Sequence, residues 1–145
     1  MFKHILLPTD GSELSERAIR QGVRLAKAMN ARVTGLCVAP EFHVFTTRTE
    51  MLEDTQEQFA RDSSARAEQH LAVVQSIARE AGVQAQSVYE VSDHPYESII
   101  KAARERSCDL IVMASHGLSG ARGILLGSVT QKVLTHSTVP VLVLR

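Results

Sequence analysis

Two polar segments of the chain carry residues that could bind an anion. The first, PTDGS at residues 8–12, directly follows an apolar run. The second begins with ASHG at residues 114–117 and ends with LGSVT at residues 126–130, where a helix is predicted to start. A glycine there permits a close backbone approach, and the free N–H groups at a helix start attract phosphate. The hydroxyls of Ser128 and Thr130 add donors, so the spacing indicates a phosphate site.

Each of these residues also has a structural explanation when it is taken alone. Ser128 is a good helix N-cap, and Asp10 could stabilise the turn before the next helix. Gly117 could do no more than shape a surface loop. Their combination at the ends of two strands favours a ligand site, but the residues alone leave both interpretations open.

The elements that must position these segments alternate along the chain. Strands are predicted at residues 3–7, 31–39, 83–91, 110–115 and 139–144, and helices at residues 12–30, 49–81, 95–106 and 128–137. This alternation predicts a single α/β domain over residues 1–145, a doubly wound five-stranded parallel sheet with helices on both faces. We expect the strand order 3-2-1-4-5. The two polar segments then meet where the order reverses, which is where such sheets bind ligands.

The second predicted helix is unusually long for a small domain. It would extend for roughly 48 Å at the rise of an α-helix. Asp62, Ser63 and Ser64 near its middle are weak helix formers. We therefore expect a break or a late start at these residues.

Composition excludes several classes of function. Sixteen Lys and Arg balance sixteen Asp and Glu, so no overall positive field favours nucleic acid. The apolar runs are too short for membrane insertion, and the first residues lack the apolar stretch of a signal peptide. Cys37 and Cys108 lie far apart within apolar runs, which indicates buried thiols in a reducing cytoplasm.

Other catalytic and binding motifs are absent from the sequence. No GxGxxG follows the first strand, and Gly127 is not followed by the Lys that a Walker motif needs. The six histidines show no metal-ligand spacing. Ser115 and His116 are adjacent, so we expect their side chains to diverge, and no GxSxG elbow is present. These observations argue against a serine hydrolase.

The sequence resembles the universal stress protein family over its whole length. The resemblance rests on ILLPTDGS near the start, DLIVMASHG at the fourth strand, and LLGSVTQKVLTHSTVPVLVL at the end. The nucleotide motif of the family is Gly, two residues, Gly, nine residues, Gly and then Ser or Thr. Gly117, Gly127 and Ser128 match it with the same spacing, whereas Ala114 stands at the first glycine. An extended backbone is expected at Ala114, because a strand-like run precedes it.

The resemblance implies an ATP site accompanied by Mg²⁺ or Mn²⁺. It assigns the nucleoside, the ribose and the phosphates to residues of both polar segments and of the second strand. These are Pro8, Thr9 and Asp10 beside the nucleoside, Val38 at adenine, Met113 and Ala114 at the ribose, and Gly117, Gly127, Ser128, Val129 and Thr130 around the phosphates. It also implies a homodimer through the last strand, residues 139–144.

The main hypothesis is an ATP-binding stress-response or regulatory module that changes state or partners with nucleotide. An unknown protein partner would fit this hypothesis. No general base or nucleophile stands out, so strong catalysis is not expected. Two alternatives stay open: a slow ATPase or nucleotide hydrolase that uses the same site, and a ligand-free dimeric scaffold, for which Ala114 is the argument.

Overall fold

The chain folds as alternating strands and helices. A computed structural model describes residues 1–44, 49–118, 123 and 125–145, and only the backbone of residues 49–54. The strands are β1 (His4–Pro8), β2 (Arg32–Ala39), β3 (Ala85–Val91), β4 (Leu110–Ala114) and β5 (Val141–Leu144). The helices are α1 (Glu13–Met29), α2 (Thr49–Ala81), α3 (Pro95–Glu105) and α4 (Ser128–His136).

The strands form one five-stranded sheet in the order β3-β2-β1-β4-β5. Every pairing is parallel, with Ile5 opposite Val33 on one side and opposite Leu110 on the other. The order reverses between β1 and β4, so the loops that leave these two strands diverge and open a crevice. The predicted fold and strand order are confirmed.

Helices cover both faces of the sheet because side chains alternate along each strand. Ile5 and Leu7 of β1 belong to a buried cluster that includes residues of α1 and α2, whereas Leu6 belongs to a cluster with α3 and α4. The central strands are thus buried on both faces, as expected of a parallel sheet. This rigid base fixes the positions of the loops at the strand ends.

Helix α2 runs unbroken through the three weak helix formers, so the predicted break is wrong. Ser63 is 5% exposed and is the first buried residue along the described side chains of the helix. From there the helix packs on the sheet through residues such as Val74. Local pairs support the exposed turns before Ser63, with Gln58 donating to Asp62 at 2.8 Å. Packing and these side-chain pairs outweigh the weak intrinsic propensity.

Strand β5 begins two residues later than the sequence predicts, at Val141. Ser137 explains this, because its Oγ accepts the N–H of Val139 at 3.0 Å and donates to the carbonyl of the same residue at 2.7 Å. These bonds form a tight turn, and Pro140 has no N–H to give to a ladder. The strand pairs with β4 on one side and forms an edge of the sheet.

Both cysteines, Cys37 and Cys108, are free and buried, as predicted. Burial raises the pKa of the Cys108 thiol to about 11. Over the described part of the chain, no helix combines the length and the apolar character that crossing a bilayer requires.

Candidate functional site

A cavity of about 570 Å³ opens at the carboxyl ends of β1, β2 and β4. The structure brings together at this cavity every site residue proposed from the sequence. These are Pro8, Thr9, Asp10, Val38, Met113, Ala114, Gly117, Gly127, Ser128, Val129 and Thr130. The switch point between β1 and β4 is the physical reason for this convergence. What each residue does toward a ligand stays a prediction.

The loop after β1 is a polar turn fixed by its own hydrogen bonds. The N–H of Thr9 donates to the carbonyl of Leu36 at 2.8 Å. Thr9 Oγ1 lies 3.2 Å from Ser15 Oγ and accepts the N–H of Gly11 at 3.2 Å. Ser12 caps α1, since its Oγ accepts the N–H of Ser15 at 3.2 Å. The turn is therefore held in place before any ligand arrives.

Asp10 joins the two polar segments. Its Oδ1 accepts the N–H of Ser12 at 2.9 Å, and its Oδ2 accepts the N–H of Leu118 at 2.9 Å. Burial of the carboxyl acts to raise its pKa, but hydrogen bonds from Ser12, Leu118 and Ser15 outweigh burial and hold that pKa below its ordinary value. The carboxylate is thus ionised at neutral pH. It positions the loop after β4 in addition to lining the cavity.

Gly117 allows the loop after β4 to approach Asp10 of the loop after β1, and Gly127 allows the two ends of the loop after β4 to approach each other. A Cβ at Gly117 would overlap Asp10 Oδ2, and a Cβ at Gly127 would lie 3.1 Å from the Cα of His116. The N–H of Gly127 donates to the carbonyl of Ser115 at 2.7 Å. Gly127 has φ −70°, so close packing against His116, not backbone conformation, favours a glycine there.

The start of α4 presents unpaired donors to the cavity. The N-cap is Gly127, so the structural alternative that made Ser128 the cap is wrong. Ser128 is instead the first helical residue and is exposed, and its hydroxyl has no hydrogen bond to the described residues. The first helical hydrogen bond at this end runs from the N–H of Gln131 to the carbonyl of Gly127. The N–H groups of residues 128–130 are consequently available to an anion.

Thr130 fixes α4 against the end of β4. Its Oγ1 donates to the carbonyl of Ala114 at 2.9 Å, and the residue is 2% exposed. The hydroxyl is therefore engaged within the protein.

Ala114 has the extended backbone that the sequence predicts, because it lies in β4 and only Asn30 and Ser107 have positive φ among the described non-glycine residues.

The opposite end of the cavity is apolar. Leu36 and Val38 of β2 line it together with Met113, and Pro95 and Ile99 contribute from the start of α3. Leu36 was missed although it lies two residues before Val38, on the same face of the strand. Pro95 and Ile99 are one helical turn apart, but the sequence does not say which cavity that face of α3 meets. Four more lining residues were not assigned from the sequence: His116 and Leu126 lie within the proposed segments, and Ser15 and Gln131 lie close to them.

Ser115 and His116 do not diverge as the sequence suggested. Ser115 Oγ lies 3.2 Å from His116 Nδ1. Ser115 is 1% exposed and does not line the cavity, whereas His116 does. The buried hydroxyl cannot meet a substrate, so the contact orients the imidazole and does not create a nucleophile.

No group of three His, Cys, Asp or Glu side chains within the described ranges could hold a metal ion.

The fold and the cavity define a doubly wound α/β domain with a ligand site at its switch point. One end of the site is apolar, and the other end offers free backbone N–H groups. The sequence model of the Universal stress protein family matches residues 1–145. The chain belongs to this family, and the resemblance proposed from the sequence is confirmed.

Similar proteins span the whole chain. The universal stress protein YxiE of Bacillus subtilis is 34% identical over 149 residues, which cover 100% of both chains. The solved structure of MJ0577 from Methanocaldococcus jannaschii has a TM-score of 0.81 at 30% identity, covering 99% of this chain and 96% of that one. A universal stress protein solved in complex with cAMP has a TM-score of 0.69 at 26% identity, covering 99% and 97%.

Proposed function

We propose that this protein is an ATP-binding module of the stress response, and that bound nucleotide changes its state or its partners. The observation that carries the proposal is one cavity that joins an apolar wall to the unpaired N–H groups at the start of α4. The first end suits a purine ring and the second suits phosphates. The relative in complex with cAMP supports an adenine nucleotide as the ligand class.

The residues present fit ATP. The cavity of about 570 Å³ is within the range of small-molecule sites. Leu36, Val38 and Met113 would hold the base, while the free N–H groups at the start of α4 would hold phosphates. A bound Mg²⁺ or Mn²⁺ supplies partial neutralisation of the triphosphate charge. The extended backbone at Ala114 is compatible with this fit.

Binding without rapid turnover is the function that the side chains favour. Ser115 is buried, and the carboxylate of Asp10 already accepts the N–H groups of Ser12 and Leu118, so its observed contacts are those of a positioning residue. Mass spectrometry of small molecules released from freshly purified protein tests the proposal. A nucleotide is expected, and its absence together with no ATP binding in calorimetry would favour the ligand-free scaffold. Turnover of radiolabelled ATP that is lost in Ser128→Ala would favour the ATPase alternative.

Ser128→Ala is expected to weaken ATP binding by about three- to tenfold, because one hydroxyl hydrogen bond contributes roughly 0.5–1.5 kcal/mol. Calorimetric titration with Mg-ATP measures the change. Thr135→Ala is the matched control, since it removes an exposed hydroxyl from the same helix outside the cavity lining. Equal affinity of Ser128→Ala and wild type would contradict the assignment of Ser128 to the phosphates.

We also propose a homodimer formed by antiparallel pairing of β5 with its copy. β5 is an edge strand, and Leu142 on it is 40% exposed, so its open side and apolar surface invite pairing. Leu142→Asp is expected to convert the dimer to monomer in light scattering at micromolar concentration. Val91→Asp, on the opposite edge strand, is the matched control and should stay dimeric. A monomeric wild type would refute the dimer.

We propose the cytoplasm as the site of action. The two buried cysteines are free thiols, and proteins of oxidising compartments generally pair such residues. Fractionation of cells with an antibody against the protein tests this location.

A further inference from the structure

The phosphate end of the cavity contains few charged side chains. Among the described lining residues, Asp10 and His116 are the titratable ones, and none is Lys or Arg. Asp10 is ionised and negative, so it repels phosphate. Among the described groups at this end, the backbone N–H groups and any charge on His116 are the ones that could attract a triphosphate.

We infer that His116 contacts the phosphates of bound ATP and that ATP binding therefore takes up a proton at this residue. The inference rests on the proposed ATP site and deepens it, because it names the side chain that makes affinity depend on pH. It requires three things of His116: a fixed position beside the phosphates, a free ring nitrogen, and surroundings that tolerate both protonation states.

The position of His116 is fixed by the loop that carries it. Gly127 packs so closely against the Cα of His116 that a Cβ at Gly127 would lie 3.1 Å from it. His116 therefore borders the start of α4. On the other side, the N–H of Ser115 donates to the carbonyl of Leu144 at 2.8 Å, which ties this segment to β5. His116 thus lines the same cavity as the start of α4.

The ring has one nitrogen engaged and one available. Nδ1 lies 3.2 Å from Ser115 Oγ, and Nε2 has no hydrogen bond to any described residue. A serine hydroxyl both donates and accepts. It can donate to Nδ1 of the neutral ring and accept from Nδ1–H of the charged ring. Nε2–H therefore remains a donor in both states, and protonation changes the charge without changing the contact.

The charged groups around His116 set the direction of the effect. Asp10 packs against Gly117, the residue after His116. Arg145 follows Leu144, whose carbonyl accepts the N–H of Ser115. The first turn of α4, residues 128–131, has no charged side chain. A bound triphosphate adds several negative charges at this end, which favours the protonated ring. Proton uptake on binding means that affinity falls as pH rises.

Calorimetric titration with Mg-ATP at pH 6 and pH 8, in two buffers of different ionisation enthalpy, tests the inference. Wild type is expected to take up a fraction of a proton near neutral pH and to bind ATP about three- to tenfold more weakly at pH 8. His116→Asn keeps a hydrogen-bond donor but cannot become charged. This variant should therefore take up less proton on binding ATP, and its ATP affinity should differ less between pH 6 and pH 8 than that of wild type. The titration of ATP itself is common to both proteins and cancels in the comparison. His136→Asn is the control, since that ring lies against Tyr96 outside the cavity lining.

A second measurement needs no variant at the site. The ring proton signals of His116 in the wild type should titrate at higher pH when ATP is bound than when it is absent, while those of His136 should not move. Equal proton uptake and equal pH dependence in wild type and His116→Asn, with an unmoved His116 ring, would overturn the inference and leave ATP binding intact. A wild type that does not bind ATP at either pH would overturn the proposed function as well.

Discussion

Gly117→Ala is expected to reduce ATP affinity by about ten- to a hundredfold. The new Cβ would overlap Asp10 Oδ2, and this carboxylate cannot move without losing its hydrogen bonds to the N–H groups of Leu118 and Ser12. Hydrogen bonds to a charged group contribute about 1.5–3 kcal/mol each, so the loop after β4 would lose its attachment to the loop after β1. Calorimetric titration with Mg-ATP measures the loss.

A double-mutant cycle with Asp10→Ala separates this steric effect from a general defect. Asp10→Ala removes the atom with which the new Cβ collides. The double variant should therefore bind ATP no more weakly than Asp10→Ala alone, while thermal melting shows that each variant is folded. Wild-type affinity in Gly117→Ala, or full additivity in the double variant, would show that the contact between these residues does not position the loop.

Ala114→Leu is expected to abolish ATP binding while the fold persists. Ala114 ends β4 and lines the cavity, so three additional carbon atoms would fill the space assigned to the ribose. Calorimetry with Mg-ATP and circular dichroism test the two parts of this expectation. Normal ATP binding by a folded Ala114→Leu variant would mean that the nucleotide binds elsewhere.

Ala114→Gly is the matched control at the same position. Because Ala114 is in an extended strand and its φ is not positive, glycine brings no relief of backbone strain. Its ATP affinity should stay within about tenfold of wild type, a difference of about 1.4 kcal/mol. Tight binding by Ala114→Gly, together with no binding by wild type, would identify the native chain as a ligand-free member of its family.

The fold could be predicted because its signals are local. Apolar runs such as residues 110–113 alternate with amphipathic segments, and parallel pairing follows from that order. The unbroken α2 could not be predicted, since burial of Ser63 against the rest of the fold overrides its weak helix propensity. The start of β5 was also missed, because it depends on the bonds between Ser137 and Val139.

The candidate site was predictable to the extent that it lies in two contiguous segments. The bond from Leu118 to Asp10 joins residues 108 positions apart and exists only once β1 and β4 are neighbours. The position of Ile99 in the cavity lining likewise depends on how α3 packs on the sheet. His116 lay within a proposed segment, but its value as a charge carrier emerges only from the composition of the whole cavity lining.

The long helix α2 changes its surroundings at Ser63. Side chains at residues 55–62 are exposed or half-buried, and Phe59 meets Phe42 with ring centroids 5.5 Å apart. Beyond Ser63 the helix contributes to the main core. Opening residues 55–62 exposes little apolar surface and requires only local unfolding, whereas opening the helix beyond Ser63 requires disruption of the main core. Amide hydrogens along this single helix therefore belong to two populations, which exchange with solvent by different routes and at different free energies.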